Sequence, residues 1–218
     1  FAPFYTSVAS FETDIFAKKA KVLSIGVPSD VVESAGIWVG SNSRILFVCP
    51  SIQTDRYYHG PQYQSFKTHL GELPHTIIGY QETYVPDPNV VGYVSQLKLH
   101  EYFTTMRVLF YPSLEKRHIQ YHPIEAAIYG MPIIYFKDSL LHELAGGGDL
   151  PGSCNDYQEA YVKLKRILNG DQIFIREILA SQKQIPSTFL PSNVELNWEK
   201  NFINDIFASR IFKSEMTE

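Results

Sequence analysis

The alternation of short apolar runs with amphipathic segments is the sequence feature that most restricts the fold of this chain. The runs are rich in Val, Ile, Phe and Tyr, and Gly, Pro or Ser residues bound them. Such runs are typical of parallel strands that are buried on both faces of a sheet. We therefore predict strands at residues 22–25, 45–48, 76–78, 90–94, 108–111 and 133–136.

Helices are predicted between and after these strands, where apolar residues recur at helical spacing. Ser192, with Glu195 three residues later, has the pattern of a capping box and marks the start of the last helix. Strands and helices in this order predict right-handed βαβ units, and hence an α/β fold: a parallel sheet flanked by helices, with a C-terminal helical extension. The predicted helices cover residues 10–20, 63–70, 97–106, 123–129, 139–144, 155–168, 173–179 and 192–208.

A chain of 218 residues fits one large domain, or one domain with appended pieces. Residues 41–185 carry the strand–helix pattern and are predicted to form a Rossmann-like domain. Residues 1–40 are interpreted as an entry segment, of which residues 31–40 are hard to classify, and residues 186–218 as a closing helix. The sequence begins with Phe1 rather than Met, which we interpret as a piece of a longer polypeptide.

Composition narrows the class of protein. A hydrophobic content of 44% and a charged content of 19% are ordinary for a soluble globular protein. The formal net charge of −4 argues against nucleic-acid binding, and no apolar stretch approaches the ~18 residues of a membrane-spanning helix. Two cysteines favour a reducing compartment; we expect Cys49 in the core and Cys154 in a polar loop. No Cys/His spacing of the zinc-binding type occurs.

The start of the helix at Pro123 is the most informative position for function. Proline fits the first turn of a helix, whose free backbone N–H groups and positive dipole attract phosphate. This helix would start at the carboxyl edge of the sheet, where α/β folds bind ligands. Glu125 lies in its first turn, close enough to accept hydrogen bonds from the ribose of a ligand whose phosphates occupy that turn. Alternatively, Glu125 stabilises the helix dipole by about 0.5 kcal/mol.

A family resemblance is carried by residues 112–134. Pro112-Ser113, an acidic residue shortly afterwards, Glu125-Ala126-Ala127 and Gly130-x-Pro132-Ile133-Ile134 resemble the donor-site signature of retaining GT-B glycosyltransferases of the group 1 type. In that family the signature is Pro-Ser, then Glu-x7-Glu-Ala, then Gly-x-Pro-Val-Ile or Val. The resemblance extends over about residues 44–168 and identifies the chain as the C-terminal, donor-binding half of a GT-B fold.

The resemblance implies a role for each site residue. Glu125 would bind the ribose, the backbone at Pro123 and Ile124 would hold the diphosphate, and Tyr93 and Val94 would flank the base. Glu115 is the nearest candidate for the first Glu, the residue that contacts the donor sugar and is here assigned as catalytic. Strict spacing places that Glu two residues later, at Arg117, so the loop must be longer than usual. Candidates to neutralise the diphosphate are the cations Arg56, Lys116, Arg117 and Lys67, with His122 as a further phosphate contact.

The resemblance also implies partners and chemistry. A nucleotide sugar would donate its sugar, with retention, to a sugar or lipid-linked acceptor in polysaccharide biosynthesis, with neither a cofactor nor a bound metal. The acceptor site and any base would come from an N-terminal domain that this chain lacks, so we expect nucleotide binding with little turnover. The location would be cytoplasmic, or membrane-associated as part of a longer protein.

Several alternatives remain open from the sequence. A nucleotide-sugar 2-epimerase shares the two-domain fold, and a non-catalytic Rossmann-like interaction module would bind no nucleotide. The polar and aromatic residues 55–59 either line the ligand edge or form an ordinary surface loop. In the closing helix, Trp198, Phe202 and Phe207 would be exposed if they normally cover the absent domain, which would favour self-association.

Overall fold

The computed structural model describes residues 13–15, 23, 25–116 and 118–208. Its centre is a six-stranded sheet in the order β3-β2-β1-β4-β5-β6, in which every neighbouring pair is parallel. The predicted α/β fold with a Rossmann-like parallel sheet is therefore confirmed. The strands are β1 Asn42–Val48, β2 His75–Ile78, β3 Val90–Gly92, β4 Met106–Tyr111, β5 Ile133–Phe136 and β6 Ser153–Cys154.

Helices cover both faces of this sheet. They are α1 Ser29–Glu33, α2 His59–Leu70, α3 Gln96–Thr105, α4 His122–Tyr129, α5 Leu140–Leu144, α6 Tyr157–Leu168, α7 Gln172–Ser181 and α8 Pro191–Trp198. A 3₁₀ turn at Ser187–Phe189 precedes α8, and a π-helix at Glu199–Ala208 follows it. The predicted helix at 10–20 and the predicted strand at 22–25 lie largely outside the described residues.

Two apolar layers hold the helices to the sheet. Alternate strand residues point to opposite faces, as the pleat requires: Leu46 belongs to one layer, and Ile45 and Phe47 to the other. The first layer packs against α1, α3, α4 and α5, and the second against α2, α6 and α7. Both faces of the sheet are thus buried, which is why its strands carry continuous apolar runs.

The structure corrects the prediction for Cys154. This residue is fully buried in β6, paired in parallel with the end of β5, and is not in a polar loop. The strand is only two residues long and contains a serine, so it produces no apolar run. Both cysteines are buried free thiols, and burial raises the pKa of each to about 12.

The closing helical segment begins differently from the prediction. The α-helix starts at Pro191 after Leu190, and no side-chain hydrogen bond caps it, so the proposed Ser192 capping box is wrong. Proline in the first turn needs no N–H partner, which explains the earlier start. Trp198 exposes 40% of its surface and packs on Phe202 with ring centroids 5.5 Å apart. The side chain of Phe207 lies outside the described residues.

Candidate functional site

The candidate site lies at the carboxyl edge of the sheet, where the strand order reverses. β1 is flanked by β2 on one side and β4 on the other, and the loops after β1 and β4 leave this edge in opposite directions. Open α/β sheets bind ligands in the crevice at such a reversal. The starts of α2 and α4 meet here, and they differ in how their backbone N–H groups are satisfied.

The start of α2 is filled by a carboxylate of its own chain. Asp55 accepts hydrogen bonds from the backbone amides of Tyr57 at 3.1 Å, Tyr58 at 3.0 Å and His59 at 3.3 Å. Its carboxylate also lies 2.8 Å from Nδ1 of His59. Burial alone would raise the pKa of Asp55, but these hydrogen bonds outweigh it and lower the pKa. This cap is why α2 begins four residues before the predicted start.

The start of α4 has no such internal anion. Among the described residues, no side chain caps it, and its Pro123 needs no partner. The first helical hydrogen bond runs from the amide of Glu125 to the carbonyl of Tyr121, 2.9 Å. Pro123 has no N–H group and Ile124 is fully buried, so neither offers an exposed backbone N–H, and His122 at the first helical position is half-buried. The positive end of the α4 dipole thus lies at this edge with no side chain of the described residues bonded to its first amides.

Glu125 is half-buried on the side of α4 that faces α1 and α3. Burial raises the pKa of its carboxyl, the charge of Asp30 raises it further, and His100 opposes this. Glu125 is also the acidic residue in the first turn of α4, where a carboxylate can stabilise the helix dipole, so its role at the ribose stays a prediction.

Polar groups surround Glu125. Nε2 of His100 lies 3.5 Å from the carboxylate of Asp30, and its Nδ1 is hydrogen-bonded to the hydroxyl of Tyr129. The charges of Asp30 and His100 act on the Glu125 carboxyl, so polar groups of α1 and α3 lie near it.

The exit of β3 presents an exposed aromatic ring at the carboxyl edge of the sheet. The strand ends at Gly92, whose φ of 81° turns the chain, so the predicted strand was two residues too long. Tyr93 is 76% exposed, whereas Val94 packs against the core. Ser95 then caps α3 by accepting the amide of Lys98 at 3.3 Å.

A groove of about 450 Å³ opens on the other side of the site, between the starts of α2 and α6. Buried Ser113 holds two of the lining residues in place, because its hydroxyl lies 2.5 Å from that of Tyr58 and accepts a hydrogen bond from the amide of Glu115 at 3.2 Å. The groove is lined by Tyr57, Tyr58, Pro61, Gln62, Ser65, Pro112, Leu114, Glu115, Phe136 and Tyr157. Glu115 therefore lies at the edge of this groove.

The candidate cations are distributed unequally. Arg56 and Lys116 are exposed near the carboxyl edge, and Arg117 lies outside the described residues. Lys67 lies one turn before the end of α2, away from this edge, where it pairs with Asp87 at 2.9 Å. The interpretation of Lys67 as a phosphate ligand is wrong.

His122 stands between the two helix starts. Its ring packs edge-on against Tyr111, with centroids 5.3 Å apart. Burial, assisted by neighbouring His59, lowers the pKa of His122 to about 3. At neutral pH the imidazole is therefore uncharged, and it can offer a ligand a hydrogen bond without a positive charge.

Sequence reasoning named Asp55 among residues 55–59 but missed its role at the start of α2, although an acid just before a helix is a common start signal. Three residues of the groove lining were missed as well. Gln62, Ser65 and Tyr157 reach the groove only through the packing of α2 and α6, which no local pattern reveals. Within the described residues, no helix is long and apolar enough to cross a membrane, and no cluster of three His, Cys, Asp or Glu residues could hold a metal ion.

Comparisons with known proteins converge on one architecture. No protein-family model matches the sequence, and no curated protein matches it significantly. Among solved structures, TarM of S. aureus is 14% identical with a TM-score of 0.58, over 83% of this chain and 38% of TarM. HepE of Anabaena, crystallised with UDP and glucose, is 13% identical with a TM-score of 0.54, over 84% of this chain and 56% of HepE.

A third match is the T4 phage β-glucosyltransferase. It is 13% identical with a TM-score of 0.54, over 92% of this chain and 71% of the phage enzyme. The chain thus spans only 38% of TarM and 56% of HepE, and identities are low throughout. What the chain shares with these proteins is the Rossmann-like α/β fold of GT-B glycosyltransferases.

Proposed function

We propose that this chain is the donor-binding half of a GT-B glycosyltransferase and that a nucleotide sugar binds across its carboxyl edge. The observation that carries the proposal is the half-buried Glu125 carboxyl, with its raised pKa, beside an α4 start that no described side chain caps. Structural neighbours crystallised with UDP or UDP-glucose support the class of ligand.

The ligand would lie along the edge in a fixed direction. The base rests near Tyr93 and Val94, and Glu125 accepts hydrogen bonds from the ribose. The diphosphate sits at the start of α4, beside Pro123 and Ile124, where the helix dipole favours negative charge, with His122 as an uncharged hydrogen-bonding group. Arg56, Lys116 and Arg117 are the cations for its remaining charge. Glu115 then faces the sugar end.

Transfer would proceed by stabilisation of the leaving group. Negative charge develops on the diphosphate as the glycosidic bond breaks, and the α4 dipole with neighbouring cations stabilises that charge. We expect retention through an oxocarbenium-like transition state, with no side chain of this chain as nucleophile and no bound metal. We place the acceptor site on a further domain, which is supported by the chain's spanning only part of TarM and HepE.

Calorimetric titration with UDP, GDP, ADP and CMP tests the proposal. Each titration is run with and without Mn²⁺, because the phage enzyme was crystallised with UDP and Mn²⁺. We expect saturable binding of at least one diphosphate nucleotide without metal. If none of the four nucleotides gave a binding signal, the result would instead favour a non-catalytic interaction module.

Product analysis separates the enzyme classes. A nucleotide sugar incubated without acceptor should stay unchanged, whereas conversion to its 2-epimer would identify an epimerase. Efficient sugar transfer by the 218-residue chain alone would contradict the requirement for a second domain.

A further inference from the structure

A cluster of polar side chains lies at the amino edge of the sheet, away from the candidate site. His75, the first residue of β2, is only 2% exposed. Lys67 of α2 lies 3.2 Å from Nε2 of His75 and 2.9 Å from the carboxylate of Asp87. The hydroxyl of Tyr63 donates a hydrogen bond to the same carboxylate at 2.9 Å. We call these four residues the His75 cluster.

The partners of His75 fix its protonation state. Nδ1 lies 2.6 Å from the carbonyl oxygen of Leu73, which can only accept a hydrogen bond, so Nδ1 carries a hydrogen. The ammonium group of Lys67 can only donate, so Nε2 must keep its lone pair. The imidazole is therefore neutral, in the Nδ1–H tautomer. A proton added at Nε2 would replace this hydrogen bond with an N–H group that faces an ammonium group.

The surroundings of His75 oppose its protonation. Arg44 of β1 donates a hydrogen bond to the backbone carbonyl of His75, and the Phe66 ring makes a T-shaped contact with the imidazole at 5.0 Å between centroids. Burial, with the charges of Lys67 and Arg44, lowers the pKa of His75, although Asp87 and the backbone hydrogen bond oppose this. The neutral imidazole thus contributes stability that is complete above the unfolded pKa and is lost as pH falls towards the folded value.

The His75 cluster holds the segment that leads into β3. Asp87 accepts hydrogen bonds from the backbone amide of Asn89 at 2.9 Å and from its side-chain amide at 3.2 Å. The carbonyl of Asn89 in turn accepts the amide of Ile77, in β2, at 2.8 Å. Because β3 has only three residues and lies at the edge of the sheet, these bonds form much of its attachment.

We propose that the His75 cluster is an acid-sensitive contact that fixes β3 at neutral pH and releases it when His75 is protonated. The positive imidazole displaces Lys67, and Asp87 then loses the partner that connects it to α2. Tyr93 follows β3 directly, so the release also reaches the carboxyl edge of the sheet. The release itself is independent of the proposed function, whereas its effect on nucleotide binding rests on that function.

NMR spectroscopy of the 218-residue chain tests the release. At pH 7.5 the ring nitrogens of His75 should show a protonated Nδ1 and an unprotonated Nε2. As pH falls through the pKa of His75, the hydrogen-exchange protection of the Ile77 and Gly79 amides should fall about tenfold or more, because both bond to carbonyls of residues 89–92. The Leu109 amide, which bonds to the carbonyl of Pro132 elsewhere in the sheet, is the internal control and should keep its protection.

Two substitutions identify the cause of the release. His75→Gln keeps an acceptor for Lys67 but has no titratable ring, so the acid-induced loss of protection should disappear. Lys67→Met removes the ammonium group and should raise the pKa of His75, whereas Lys98→Met, in an exposed pair on α3, should leave it unchanged. An Nε2–H tautomer at neutral pH, or unchanged protection of Ile77 and Gly79 after His75 is protonated, would overturn the proposal. Both of these results come from the wild type, so they decide the proposal even if His75→Gln does not fold.

Calorimetry with UDP measures the effect on binding, at pH 7.5 and at a pH below the measured pKa of His75. The affinity of the wild type should fall about fivefold more between these conditions than that of His75→Gln. The UDP phosphates and the other side chains titrate alike in both proteins, so the comparison isolates His75. If β3 is released but UDP binds at neither pH, the proposed function fails and the acid-sensitive contact stands. If UDP binds with the same pH dependence in both proteins, the effect on binding is refuted while the proposed function stands.

Discussion

Glu125→Gln is expected to weaken nucleotide binding by removing the charged partner of a ribose hydroxyl. The substitution keeps the shape of the side chain and one carbonyl oxygen, so packing against α1 and α3 changes little. What it removes is the negative charge, which burial and Asp30 already disfavour. The loss of nucleotide affinity in Glu125→Gln should therefore depend on whether the ligand carries the ribose hydroxyl that Glu125 contacts.

The magnitude follows from the setting of the carboxyl. A hydrogen bond to a charged group contributes about 1.5–3 kcal/mol, and one between neutral groups about 0.5–1.5 kcal/mol. Because Glu125 is half-buried, its hydrogen bond to the ligand should be stronger than one screened by water at the surface and weaker than one that is fully desolvated. We expect a coupling of about 1–2 kcal/mol between Glu125 and the 2′-hydroxyl, which is about five- to thirtyfold in affinity.

The assay is a thermodynamic double cycle. Calorimetry measures the affinities of UDP and 2′-deoxy-UDP for the wild type and for Glu125→Gln. Glu101→Gln is the matched control, because Glu101 lies on α3 in an exposed pair with Lys98 at 2.6 Å. Equal ratios of UDP to 2′-deoxy-UDP affinity in the wild type and in Glu125→Gln would refute the ribose contact.

Unfolding measurements distinguish a lost contact from a damaged fold. Because the folded pKa of Glu125 is raised, its contribution to stability is complete below the unfolded pKa and is lost as pH rises through the folded value. Glu125→Gln should therefore be at least as stable as the wild type at pH 7. A less stable variant would mean that the carboxylate supports the fold.

Three further outcomes are expected. Hydrogen bonds lower the pKa of Asp87 from 3.8 to about 2 despite its burial, so urea unfolding should show a loss of about 2 kcal/mol as pH falls across that interval, absent in Asp87→Asn. Asp55→Ala removes three hydrogen bonds to backbone amides and should lower the free energy of unfolding by about 2 kcal/mol in thermal melts. Asp156→Ala removes one such bond and should lower it by about 1 kcal/mol, so equal losses in the two variants would contradict this. Cys49 and Cys154 should react with a thiol reagent at pH 8 only after denaturation, and rapid labelling of the native chain would contradict their burial.

The sheet was largely predictable because most of its strands are marked by their own residues. Residues 133–136 form β5 as predicted, since four consecutive apolar residues between Pro132 and a polar turn permit little else. The edge strand β6, by contrast, consists only of Ser153 and Cys154. These two residues form a strand because they pair with β5. The helix α1, which overlaps residues 31–40 that were hard to classify, is likewise held by packing of Val31 in the core.

The candidate site was predictable only where its residues are close in sequence. Pro123 and Glu125 share one helical turn, so their local pattern indicated both the helix start and the carboxylate beside it. Asp30 and His100 reach Glu125 from two other helices, and no spacing rule connects them. Tyr157 reaches the groove from the start of α6, more than 40 residues after Glu115 in the sequence, for the same reason.

The aspartate at the start of α2 has a consequence for the direction in which a ligand can lie. If a diphosphate binds at the start of α4, as proposed, Asp55 would repel it at the neighbouring start of α2 and so favour one direction of binding. A nucleotide sugar bound in reverse would have to bring its phosphates towards that fixed negative charge. One internal side chain can thus impose polarity on the ligand, so that the two ends of the molecule are not interchangeable.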